Sequence, residues 1–389
     1  MPNEKSSPSA TDAHSATGAP VPTPRLAIVG VGNCASTLVQ GLTWYRRNRT
    51  DIGLMHPQVG NLSVGDIRLA CAFDIDERKV GRPLAEALFA APNNSRVFCP
   101  NPDDDGAMVF AGARADGVAA HLENFAPEMR AVPDARSNTT SLEQVVEILK
   151  ATKANILINY LPVGSQLATE FYAHACLAAG IAMVNCIPVF IASDAGWAAK
   201  FAAANLPLVG DDVKSQFGAT IIHRQLMALA EARGITIDSS YQLNVGGNTD
   251  FLNMLERSRL GSKKTSKTEA VNSQLHQPLD AQHIHIGPSD YIPFLADQKI
   301  CYVRINAHGF GGLPMEVDLK LTVEDSPNSA GVVVDAIRCA WLALEHGIGG
   351  PLVEVSAALM KHPPQQMADT AAAAAMDKWI ANHVPGPRR

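Results

Sequence analysis

Four positive charges crowd into the stretch RLGSKKTSKTEA (259–270) of a chain whose net charge is −6. Arg259, Lys263, Lys264 and Lys267 have a single acid, Glu269, among them. If the stretch is helical, Lys263 and Lys267 are four apart and share a face, while Lys264 is turned ~100° away. No acid stands where it would neutralise the pair. Two further lysines sit in apolar surroundings: Lys299 in LADQKICYV and Lys361 in AALMKHPPQ. Asp325 opens the turn in VEDSPNSAG. Polar groups set in apolar segments tend to be partly buried, and their desolvation must be offset by a partner. Cations held in a closed site suit a phosphate, or an oxyanion that develops during a reaction. The plainer reading of the charge run alone is a solvated basic loop.

The elements that would position these groups begin at RLAIVGVGNCASTLVQGL. Arg25 to Val29 reads as a short strand, Gly30 and Gly32 as a turn, and Ala35 as the start of a helix with Leu38, Val39 and Leu42 on its apolar side. Strand, G-x-G-x-x-A and helix in this order predict a dinucleotide-binding turn. Gly30 permits the tight turn, Gly32 lets backbone approach a pyrophosphate, and Ala35 lets the helix pack on the strand. Val31, Asn33 and Cys34 complete the turn, and the helix N-terminus offers unpaired N–H groups to phosphate. IRLACAFDID ends in Asp74 and Asp76, and an acid there selects NAD over NADP. Asp74 comes about twice as far after Gly30 as the usual ~20 residues. NRTDIGLMHPQVGNLSVGD therefore reads as an inserted loop.

ANILINYLPVG and IAMVNCIPVF are further strands running into polar loops, and LPLVGDDVKSQFGATIIHRQLMALAEARG is a strand, a loop and a helix ending at Gly234. Such alternation predicts a doubly wound, Rossmann-type parallel sheet, with ligands at the C-terminal strand ends. Those ends hold Gly30–Ala35, Asp74, Asn159, Asn185 and the loop containing Asp212 and Ser215. After Gly234 the pattern becomes strand-rich. NTDFLNMLERSRL has helical spacing, and HIHIGPSDYIPF, KICYVRINAHGF and MEVDLKLTVEDS alternate like antiparallel strands. The expected organisation is a polar, Pro-rich disordered tail (1–24), a nucleotide-binding domain (25–217), a strand-rich α+β domain (218–324) whose amphipathic sheet suits oligomerisation, and a segment returning to the first domain (325–389).

At 389 residues, 47% apolar and 18% charged, the chain is of ordinary globular composition with room for two domains. The acidic balance argues against nucleic acid as a partner, and no apolar run reaches the ~20 residues of a membrane span. Seven scattered cysteines without ligand spacing indicate reduced thiols and a cytoplasmic protein. His283 and His285 alternate along a strand and read as exposed strand residues rather than ligands.

Six motifs, GDDVKSQFGATIIHR, NVGGNTDFLNML, SKKTSKT, IGPSDYIPFLADQK, EDSPNSAG and LMKHPP, together resemble myo-inositol-1-phosphate synthases of the shorter prokaryotic form. The resemblance spans roughly 25–365. It implies conversion of glucose 6-phosphate to inositol phosphate by NAD-dependent oxidation at C5, enolisation, aldol closure onto C1 and reduction by the same NADH. It also implies a homotetramer built through the strand-rich domain. The family's active-site lysines match Lys263, Lys267, Lys299 and Lys361, and its polar positions match Asp212, Asn248, Asp250 and Asp325. The implied roles put Lys263 and Lys361 at the C5 oxygen, Lys267 and Lys299 at the phosphate and the C1 oxygen, and the N–H groups of Ser215 and Gln216 on the phosphate. Asn159, Asp212 and Ser326 join the turn residues and Asp74 on the cofactor. A divalent cation is left open, because Asp325 and Ser326 offer only two oxygens. An NAD dehydrogenase that releases NADH and a non-catalytic NAD-binding regulator are the alternatives. Four separated lysines without a His/Asp hydride-transfer pair weigh against the first, and the presence of all four against the second.

Overall fold

The computed structural model describes residues 23–261 and 269–383. Lys263, Lys264, Lys267 and their expected helix, and nearly all of the expected tail, lie outside the described residues. Seven strands form a parallel sheet: β1 (Arg25–Val29), β2 (Arg68–Asp74), β3 (Val109–Ala111), β4 (Ile156–Asn159), β5 (Ala182–Asn185), β6 (Pro207–Val209) and β11 (Gly350–Pro351). Their order is β11-β6-β5-β4-β1-β2-β3. Both faces are covered, as the near-continuous apolar runs require. Leu26 and Ile28 of β1 enter one core with Leu38, Val39 and Leu42 of the helix Asn33–Asn48. Ala27 and Val29 enter the other, with Val145 and Leu149 of the helix Leu142–Ala151 and Tyr172 and Ala173 of the helix Gln166–Ala179. The order in which strands are added reverses between β1 and β4, which opens a crevice at their C-terminal ends.

The long helix Asp325–Glu345 lies in the first core through Val333, Ile337, Ala340 and neighbours, and β11 pairs with β6 at the sheet edge. The inserted segment after Arg49 is tied down on this helix. Val59 and Val64 are buried there, and Arg338 donates to the carbonyls of His56, Pro57 and Leu62.

The second sheet has four strands, β7 (Thr236–Gly246), β8 (Ile284–Tyr291), β9 (Gln298–His308) and β10 (Pro314–Glu324), in the order β10-β9-β7-β8. One expectation needs correction. β9 pairs antiparallel with β7 and β10, but β8 runs parallel to β7. Period-two alternation gives a strand's faces and says nothing about its direction. Ile284, Ile286, Val303 and Ile305 pack towards Met227 of the helix Ala219–Ala232. Tyr241, Tyr302, Met315 and Val317 are exposed. His283 and His285 are exposed too.

Candidate active site

The glycine turn after β1 has the geometry a dinucleotide needs. Gly30 has φ +86°, and a Cβ there would come 2.7 Å from the carbonyl oxygen of Tyr160. Gly32 lines the cleft, and a Cβ there would meet nothing within 4 Å, so its missing side chain leaves room in the cradle. As N-cap of the helix Asn33–Asn48 it also leaves the first turn without a side-chain cap. Asp74 fastens the turn: one carboxylate oxygen accepts from the Val31 N–H at 2.6 Å, the other from the N–H groups of Ile75 and Asp76. Lys79 is buried behind it, with Nζ 2.7 Å from the Val31 carbonyl, and desolvation pulls its ammonium down. Arg78 is held by Asp76 and by the carbonyls of Pro127 and Arg130. These residues fit a dinucleotide, with an acid at the end of β2 and both nearby cations already engaged.

Beside this turn, polar groups from three segments converge on Asp297. Its carboxylate accepts from Asn33 Nδ2 at 2.9 Å, Asn248 Nδ2 at 3.2 Å and Ser326 Oγ at 2.8 Å. Burial, and then the charge of Asp325, push its acid up to about 6. Lys299 Nζ lies 3.1 Å from Asp325 Oδ1. Burial pulls this ammonium down, but the charge and hydrogen bond of Asp325, together with Asp250, outweigh it, so Lys299 is held above the ordinary lysine range. Asn248 caps the short helix Thr249–Asn253 through Oδ1, and Asp250 opens that helix. The helix is much shorter than the apolar spacing suggested. Cys34 faces Ser326 and Ser329, and burial pushes its thiol up to about 12.

The second ion pair joins the ends of two distant loops. Lys361 Nζ is 2.8 Å from Asp212 Oδ1, and the Lys361 N–H donates to the Asp212 carbonyl at 2.7 Å. Asp212 holds φ +63°. The carboxylate of its neighbour Asp211, fully buried, accepts from Asn185, Ser193 and three backbone N–H groups, which fixes the loop.

One cleft is lined by Gly30, Gly32, Asn33, Cys34, Asp74, Asp212, Ser215, Asn248, Asp250, Lys299, Asp325, Ser326 and Lys361. The structure places four expected residues elsewhere. Val31 and Ala35 support the turn from behind. Asn159 is buried and hydrogen-bonds Asn185, Thr169 and Leu161. Gln216 donates its N–H to the Asn328 carbonyl and its side-chain amide to Gly53, so that N–H is not directed at a phosphate. The helix behind it starts only at Ala219. Among the described residues no three His, Cys, Asp or Glu side chains converge as metal ligands. Asp325 meets Lys299, and Ser326 meets Asp297. Asp297 itself was missed, although it stands two residues before Lys299 in the same apolar segment that drew attention to the lysine.

An inositol-3-phosphate synthase of Mycolicibacterium smegmatis is 49% identical over 363 residues, spanning 92% of this chain and 97% of that one. The chain belongs to the myo-inositol-1-phosphate synthase family. The family's sequence model matches residues 218–326, which include Asn248, Asp250, Asp297, Lys299 and Asp325. A synthase of Corynebacterium glutamicum is 47% identical over 92% of this chain and 98% of its own length. A myo-inositol-1-phosphate synthase-related protein from Thermotoga maritima shares the fold, with a TM-score of 0.76 at 23% identity over 92% of this chain and 98% of that one. Membership in this synthase family makes the chain an enzyme rather than a passive nucleotide-binding module. Among the described residues no helix is long and apolar enough to cross a membrane.

Proposed function

We propose that the enzyme converts glucose 6-phosphate to 1D-myo-inositol 3-phosphate, using NAD that is regenerated within each turnover. The observation that carries this reading is the meeting, in one cleft, of the glycine turn Gly30–Ala35 with two lysine–carboxylate pairs, Lys361–Asp212 and Lys299–Asp325. When bound, NAD accepts the hydride from C5 of the sugar and later returns it. The rest falls to the chain's own groups. Asp212 holds Lys361 beside the C5 oxygen, where the ammonium can give and take the hydroxyl proton. Lys263 is assigned to the same oxygen. A proton then leaves C6, and the resulting enolate carbon attacks the C1 aldehyde, forming the C1–C6 bond. Lys267 and Lys299 are assigned to the phosphate and to the alkoxide that develops at C1, a charge that preorganised cations stabilise. Asp325 and Asp250 keep Lys299 charged for this role. Ser215 is proposed on the phosphate; no step is routed through a divalent cation.

The test is incubation of the enzyme with glucose 6-phosphate and catalytic NAD. The expected result is stoichiometric inositol phosphate without net absorbance gain at 340 nm. Steady accumulation of NADH would instead mark a dehydrogenase of a phosphorylated sugar. We further propose a homotetramer in the cytoplasm, with the exposed face bearing Tyr241 and Tyr302 covered by another copy.

A further inference from the structure

The loop between β6 and the helix Ala219–Ala232 contains a buried cation that the proposed chemistry leaves unused. Lys214 is 1% exposed. Its Nζ lies 2.8 Å and 3.2 Å from the carbonyl oxygens of Ala357 and Ala358, and 3.2 Å from Asp369 Oδ1. Asp369 also receives Arg224 Nε, which lies 2.9 Å from Oδ2. Arg224 is fully buried, and it donates further to the carbonyls of Ala270 and Met367. Two buried cations thus share one carboxylate at the junction of the catalytic loop and the C-terminal helix Asp369–Asn382.

The backbone around Lys214 explains what such a cluster could do. The Asp211 N–H donates to the His362 carbonyl and the His362 N–H to the Asp211 carbonyl, both at 3.0 Å. The Lys361 N–H reaches the Asp212 carbonyl, and the Lys214 N–H reaches the Leu359 carbonyl at 2.9 Å. Residues 211–214 and 359–362 therefore form a short ladder, and the Lys361–Asp212 ion pair projects from it. A slip of one residue in that ladder would separate the pair. The carbonyls that Lys214 grips belong to the last turn of the helix Val353–Leu359, just before the ladder. Carbonyls at a helix C-terminus lack intrahelical donors and attract a cation.

We propose that Lys214 is a positioning residue. Its ammonium clamps the last turn of the helix Val353–Leu359 to the 211–215 loop, which fixes the register in which Lys361 meets Asp212. The proposal rests on the reading of Lys361 and Asp212 as working groups. The charges facing Lys214 are Arg224 and Asp369 on the helices either side and Lys361 across the ladder. Burial first, and then Arg224, push the Lys214 ammonium down to about 8, with Asp369 opposing them. The clamp therefore holds its charge below that pH and loses it above, so turnover should fall on the alkaline side as the register loosens.

The test uses the full-length enzyme with glucose 6-phosphate and NAD, comparing wild type, Lys214→Met, Lys214→Gln and Lys361→Ala. Lys214→Met should lower kcat by ~10²-fold, the loss typical of a small misplacement of reacting groups. NAD affinity should be unchanged, and the alkaline limb near pH 8 should disappear. Lys214→Gln retains a donor for the two carbonyls and should recover part of kcat, still without that limb. It carries the test if the methionine variant does not fold. A merely structural lysine would lower the melting temperature and leave kcat per folded enzyme and the pH profile intact; that result overturns the proposal. A wild-type profile flat through pH 8 overturns it as well. An active Lys361→Ala enzyme would withdraw the reading of the site itself. An inactive Lys361→Ala beside normal Lys214 variants would overturn only the positioning role.

Discussion

Replacing His56 by Gln should remove a pH-dependent part of the enzyme's stability. His56 lies in the inserted segment, with Nδ1 2.5 Å from Asp335 Oδ2 and Nε2 2.9 Å from Asp377 Oδ1. Asp335 is fully buried on the long helix, and Asp377 belongs to the C-terminal helix. The hydrogen bond to Asp335 raises the imidazolium most; burial opposes it, and Asp377 helps, so the group moves from 6.5 to about 8. A folded-state value above the unfolded one means that the bound proton stabilises the fold. The stabilisation is fully present below about pH 6.5 and is lost as pH rises through about 8. At ~1.36 kcal/mol per unit the shift corresponds to about 2 kcal/mol. His56 keeps 27% of its side chain exposed, so solvent screening reduces this to about 1–2 kcal/mol. Thermal melting of wild type and His56→Gln at constant ionic strength from about pH 6 to pH 9 reads it directly. The gap in Tm should be widest at the acid end and close at the alkaline end. A gap independent of pH, or one that widens as pH rises, refutes the reasoning.

Lys299→Met should lower turnover by ~10²–10³-fold, because it removes the donor proposed for the developing oxyanion. NAD affinity should hold, and a fully active variant would remove Lys299 from the site. NADP should bind at least ~10-fold more weakly than NAD, since Asp74 would face the 2′-phosphate and Arg78 and Lys79 are occupied; equal Kd values in a titration would contradict this. Gly30→Ala should weaken NAD binding and lower Tm, because φ +86° and the 2.7 Å approach to the Tyr160 carbonyl leave no place for a methyl group. Unchanged binding and melting would mean that the turn yields more easily than its geometry suggests. A light-scattering mass of a monomer at micromolar concentration would argue against the proposed tetramer.

What the sequence made legible was the local physics. The strand–glycine–helix pattern at Arg25–Leu42 gave the turn, because Gly30 answers a steric demand there and Gly32 leaves the cradle open. Lys299 and Lys361 stood out because a charge in an apolar run needs a partner, and the structure supplies Asp325 and Asp212. The direction of β8 was not legible, since alternation is the same for either neighbour orientation. Asn159 and Gln216 looked like ligands because they end strands or open helices, but Thr169, Asn185 and Leu161 engage the first, and Asn328 and Gly53 the second. Lys214 and Asp297 were hidden by distance in sequence. Their meaning depends on Asp369 and on Asn33, which only the folded chain brings close.

The position of the long helix Asp325–Glu345 has a consequence for how the enzyme is made. It covers the face of the nucleotide-binding sheet that begins at Arg25, and the edge strand β11 follows it. A ribosome extends the chain at ~5–20 residues per second, and domains ordinarily fold in the order they emerge. Here Leu26, Ile28, Leu38 and Leu42 pack on one another early, but their core is completed by Val333, Ile337 and Ala340 only when the last segment appears. A chain stopped before Asp325 would present that apolar face to chaperones and proteases. The sheet therefore gains the last of its cover from the segment that also delivers Lys361, so a nascent chain would complete this core and the Lys361–Asp212 pair together.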